Sequence, residues 1–101
     1  MKQYRQGDVL IRRIESLPAS KATKRVTGVL IEGEVTGHAH RLADLTAAEV
    51  LEVGEGLYLR VGEAGASIVH EEHKPIILEP GNYEVFRQRE YSPEEIRNVA
   101  D

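Results

Sequence analysis

Short apolar stretches, each a few residues long and each ended by glycine, proline or a polar cluster, constrain this chain more than any other feature. The runs "GDVLIRRI" (7–14), "LYLRVG" (57–62), "ASIVHEEH" (66–73) and "PIILEPGNYEVFRQREY" (75–91) carry β-branched and long apolar residues in extended or alternating patterns. Such patterns suit half-buried strands. The stretch "RVTGVLIEGEVTGHAHRL" (25–42) is also extended, but Gly28, Gly33 and Gly37 interrupt it, which predicts two short strands or one strongly bent one. "DLTAAEVLEV" (44–53) reads two ways. Thr46 and Glu49 have capping-box spacing and predict a helical turn at 46–50, whereas "EVLEV" fits a strand leading to the "GEG" turn. Pro80-Gly81-Asn82 reads as a tight turn joining two strands. Ser92 as cap, Pro93 at the first helical position and Glu95 three residues after the cap predict a short C-terminal helix. The expected architecture is an all-β barrel or sandwich, one domain over residues 1–101, with that single helix covering an open end or edge.

The composition narrows the environment. With 41% hydrophobic and 30% charged residues, the 101-residue chain suits a soluble globular domain. It has no apolar run of membrane-spanning length, no apolar segment after "MKQYRQ" of the kind a secretory signal needs, and no cysteine. Disulfides and thiolate metal sites are therefore excluded, and a cytoplasmic location without membrane partners is the expectation. The formal charge of −4 argues against a broad nucleic-acid-binding face. A local basic pocket can still come from "FRQRE" (86–90), whose arginines are embedded among strand residues, or less readily from the loop "SKATKR" (20–25).

The four histidines fall in two tight groups, "GHAHRL" (37–42) and "VHEEHK" (69–74). In a strand, residues two apart stand on one face about 6.5–7 Å apart. His38 and His40 thus share a face, and His70 shares one with Glu72 if the strand continues through 72. Glu71 and His73 fall on the opposite face and are held in reserve. The favoured metal set is His38, His40, His70 and Glu72. Three imidazoles and a carboxylate suit Zn, Mn, Fe or Ni, and can leave a position open for water. An ion held there activates water for hydrolysis, most simply of a phosphate ester. "HEEHK" is not the zinc-protease H-E-x-x-H, because position 74 is Lys.

The same residues admit a metal-free enzyme. His70 and His73 with Glu71 or Glu72 can supply general acid and base, Arg87 and Arg89 can hold a phosphate, Arg41 adjoins His40, and Tyr91 can donate a hydrogen bond. A small ribonuclease using the RNA 2′-hydroxyl as nucleophile is then conceivable. The third alternative is a non-catalytic protein-binding module. Single histidines more often make surface or core hydrogen bonds than ligate metals. Arg87 and Arg89 also suit exposed cross-strand pairing with Glu84 or Glu90, and Tyr91 suits packing at the sheet–helix junction. An exposed edge strand would permit a homo-oligomer.

Two resemblances accompany this reading. "HEEHKPIILEPGNYEVFRQREYSPEEIRNVAD", with "QGDVLIRRI" and "GEVTGHAHRL", resembles a group of small uncharacterised bacterial and phage proteins over most of the chain. That resemblance implies a real domain but no activity. "HAHRLAD" resembles the H-x-H and following acidic residue of cupins, small metal-binding β-barrels, with His38, His40 and Asp44 at the matching positions and Asp in place of the usual Glu. The second cupin motif has no counterpart, because His70 and His73 precede Pro80-Gly81 instead of following it.

Overall fold

The computed structural model describes residues 2–32 and 37–87. The described residues form ten strands and no helix: β1 (Gln3–Gln6), β2 (Val9–Ile14), β3 (Thr23–Lys24), β4 (Val29–Glu32), β5 (Ala39–Leu42), β6 (Ala48–Val53), β7 (Gly56–Val61), β8 (Ala66–Val69), β9 (Ile76–Leu78) and β10 (Gly81–Arg87). All pairings are antiparallel. They build a six-stranded sheet ordered β1-β2-β10-β7-β6-β3 and a four-stranded sheet ordered β4-β5-β8-β9. The sheets do not close on each other, so of the two expected architectures the sandwich is the observed one. The expected C-terminal helix lies outside the described residues.

Alternation in the sequence decides which side chains face inward. In β7, Leu57, Leu59 and Val61 are buried, while Tyr58 and Arg60 point away from the core. Leu59 stands opposite Val50 on β6 and Tyr83 on β10, placing three inward residues side by side across the sheet. The other sheet contributes Leu30, Leu42, Ile68, Ile76 and Leu78 to the same core. Tyr83 is fully buried, and its hydroxyl donates to the Glu79 carbonyl at 2.6 Å, so its polar tip is satisfied at the core boundary.

Several local expectations are revised. The first strand is preceded by another: β1 pairs with β2 through a turn at Gly7-Asp8. Between 25 and 42 the chain forms two separate strands, β4 and β5, as one of the two alternatives had it. At 46–50 the strand wins over the helical turn. Asp44 Oδ1 accepts from both the Thr46 N–H (2.9 Å) and the Thr46 hydroxyl (2.7 Å), so Thr46 is spent closing a turn instead of capping a helix. Asp44 therefore has a structural task in the turn that leads to β6. The Pro80-Gly81 connection is short, but β9 and β10 lie in different sheets and do not pair as a hairpin.

The β7–β8 connection also switches sheets and depends on one glycine. Gly65 has φ +77°, and a β-carbon there would sit 2.8 Å from the Leu78 carbonyl oxygen of β9. Gly65→Ala is expected to lower the unfolding free energy by about 1–2 kcal/mol from the left-handed backbone alone, with the carbonyl clash adding to it. Urea denaturation of the variant against wild type measures this, and an unchanged midpoint would contradict it.

Candidate functional site

At one end of the sandwich the core row of β5 runs out in a polar residue. His40 and Leu42 share the inward face of β5; Leu42 joins the core, whereas His40 meets the β1–β2 turn and is only 2% exposed. Burying an imidazole requires partners for its nitrogens, and Gln6 supplies one: His40 Nδ1 lies 2.8 Å from Gln6 Oε1. The Gln6 amide nitrogen donates to the carbonyls of Ile68 (3.1 Å) and Lys74 (2.8 Å), so its oxygen must be the atom facing His40. An amide oxygen can only accept. His40 Nδ1 therefore carries the proton, and its Nε2 keeps a lone pair.

The second histidine group follows β8, which ends at Val69. The expected continuation of the strand through 72 does not occur, because the Glu72 N–H turns back and donates to His70 Nδ1 at 3.0 Å. Strand parity is thus not what groups His70 with Glu72. This bond gives the neutral His70 ring the opposite tautomer to His40, with the lone pair of Nδ1 engaged and the proton on Nε2. The turn still delivers both histidines to the same place. The His70 ring centre lies 4.3 Å from that of His40, 4.7 Å from His73 and 5.7 Å from His38. All four imidazoles, from two segments some thirty residues apart, form one cluster with His70 in the middle. Gly7 makes room for His73: a β-carbon on Gly7 would sit 2.8 Å from His73 Nε2.

The carboxylates divide differently from the sequence expectation. One ligand atom each from His38, His70 and Glu71 lies within 4.8 Å of the others, close enough to share one ion. Glu72 instead places Oε2 3.7 Å from His38 Nδ1 and is 64% exposed. Glu71 is anchored by the Ala39 N–H (2.9 Å) and the Arg41 guanidinium (2.5 Å), which hold its pKa down to about 2. So held, it is a poor proton acceptor and a better ligand or anchor than base. His40 is shifted the other way from the usual switch: burial first, then the neighbouring His70, lower its pKa to about 4. It is neutral at physiological pH, with its lone pair available.

The arginines are less available than expected. Arg87 comes to the edge of the site, but its Nε lies 3.1 Å from Asp8 and its Nη2 donates to the Glu32 carbonyl. The expected partner Glu84 binds Arg12 instead, at 2.6 Å. Arg41 is committed to Glu71. Arg89 and Tyr91 lie outside the described residues. Sequence reading missed Gln6, Gly7 and Asp8. The signal was present in "QYRQ": Tyr4, which packs on the core, and Gln6 have the same parity, so a strand there turns a glutamine inward.

The fold and cluster define a small two-sheet β protein with four clustered histidines where the inward face of β5 turns polar. The chain belongs to the family described as a domain of unknown function, DUF8820, whose match spans residues 5–88 and so includes Gln6 to Arg87. No curated protein and no solved structure matches the chain significantly. No helix among the described residues is long and apolar enough to cross a membrane.

Proposed function

We propose that the protein is a small hydrolase whose histidine cluster holds a divalent metal ion and acts on a phosphate ester. The observation that carries this reading is the convergence of four imidazoles, with the ligand atoms of His38, His70 and Glu71 within 4.8 Å of one another. Nitrogen-rich sites with one carboxylate suit Zn, Mn, Fe or Ni. Electrostatics support the same reading. Arg41 and Arg87 already face carboxylates, so attraction for a phosphate falls to a bound cation. Such an ion lowers the pKa of coordinated water towards neutrality and polarises the phosphoryl oxygen. His38 and Glu71 anchor the site from both histidine segments, and His40 offers its Nε2 lone pair as a further ligand or proton acceptor. We place this activity in the cytoplasm, in the bacterial or phage setting that the resemblance of the C-terminal third implies.

Protein purified without a polyhistidine tag is expected to take up one equivalent of Zn²⁺ or Mn²⁺ and to hydrolyse bis(p-nitrophenyl) phosphate. His70→Ala should lower the rate by about 10²-fold or more. A protein that stays metal-free and hydrolyses the ester in EDTA would reject the reading.

One observation favours a second reading, a metal-independent ribonuclease. The opposite tautomers of His40 and His70, whose ring centres lie 4.3 Å apart, leave one ring with a bare Nε2 and the other with a protonated one, the complement that general base and general acid need. In addition, an ion bound at His70 Nδ1 would have to displace the Glu72 N–H. This enzyme would cleave RNA but not DNA, undiminished by EDTA. The non-catalytic binding module would instead keep its stability and its partner binding when all four histidines are replaced.

A further inference from the structure

Gln6 is connected to three of the four histidines through a single side chain. Its amide nitrogen bonds the carbonyls of Ile68 and Lys74, the two ends of the segment bearing His70 and His73, and its amide oxygen takes the His40 Nδ1–H. From these contacts we infer that Gln6 is the positioning residue of the site, clamping the 68–74 segment against β5 while fixing His40 as the Nδ1–H tautomer with Nε2 facing outward from the clamp.

The amide is chemically suited to both tasks at once. Two backbone carbonyls require two N–H donors on one atom, and a ring N–H requires an acceptor on the other; only an uncharged primary amide supplies that set. A carboxylate at position 6 would meet two carbonyl oxygens. A lysine would present N–H to N–H at His40. Gln6 is itself 2% exposed, so water does not readily replace it. Partners of this kind on the far nitrogen of a ligating histidine set its tautomer and basicity, and losing them typically costs 10–100-fold in metal affinity. The affinity consequence rests on the metal reading above; the tautomer does not.

The two are separable by experiment on the full chain. Long-range ¹H–¹⁵N spectra of the metal-free wild-type protein at neutral pH should show His40 protonated at Nδ1 and His70 protonated at Nε2. In Gln6→Ala, His40 should lose its single tautomer while His70, held by the Glu72 N–H, keeps its own. Gln6→Glu should retain the His40 Nδ1–H, because a carboxylate still accepts it, yet loosen the 68–74 segment. Zn²⁺ titration should find Gln6→Ala 10–100-fold weaker than wild type, and Gln3→Ala, altered at the exposed end of the same strand, unchanged. A wild-type His40 protonated at Nε2 overturns the inference even if the variants fail to fold. So does a folded Gln6→Ala with wild-type tautomer and zinc affinity. A wild type that binds no zinc overturns the metal reading alone, and the spectra then decide the role of Gln6.

Discussion

Gln6→Leu should destabilise the protein by roughly 3–5 kcal/mol, an effect as large as losing a major core side chain. The substitution keeps the volume but leaves the His40 Nδ1–H and the carbonyls of Ile68 and Lys74 without their partner. Each buried polar group left unsatisfied costs about 1–3 kcal/mol, and the Lys74 carbonyl, only partly buried, recovers some of that from water. Against a total stability of about 5–15 kcal/mol for a domain of this size, the loss takes up much of the margin. Gln3→Leu, on an exposed position of the same strand, should stay within about 0.5 kcal/mol of wild type. Paired urea melts decide the matter. Equal midpoints for the two variants would show that the Gln6 clamp holds nothing.

The second large effect is acid sensitivity through His40. Its folded pKa of about 4 lies below the ordinary value of 6.5, so the unfolded chain takes up the proton first. Stability is therefore full above about 6.5, falls as the pH drops below it, and stops falling through this group once the pH is under about 4. The total loss is up to roughly 3 kcal/mol. Glu71 acts in a lower window: its pKa of about 2 against an ordinary 4.5 means that its contribution is present above 4.5 and is lost as the pH falls from there towards 2. His40→Gln cannot titrate, so the decline contributed by this group should be missing, and the variant's stability should fall less steeply than that of wild type between about pH 6.5 and 4.5. If the variant and wild type decline in parallel over that range, His40 is not the buried neutral group described here.

Much of the candidate site was legible without coordinates, though partly for the wrong reason. The H-x-H spacing placed His38 and His40 in the same neighbourhood, and extended backbone around 68–69 brought His70 there too. Parity then failed at residue 70, because the His70 ring closes a turn with the Glu72 N–H and the strand stops. Glu71 consequently joins His38 and His70 as the carboxylate of the ligand trio, while Glu72 approaches His38 from an exposed position. The arginines illustrate a different shortfall. Nothing in "FRQRE" tells that Arg87 will meet Asp8 and the Glu32 carbonyl, since both partners are more than fifty residues away in the chain. Gln6 went unread because "QYRQ" lacks the β-branched residues by which a strand is usually known.

Local order in this protein is a property of the sequence itself: alternation of apolar and polar residues, with glycine at the turns, dictates strands and their inward faces because backbone geometry repeats every two residues. Which histidine holds a proton on which nitrogen, and which carboxylate stands beside it, is instead decided by tertiary contacts. For His40 the partner arrives from the other sheet and for Glu71 from β5, while the turn that fixes His70 is local; no two-residue period encodes any of them.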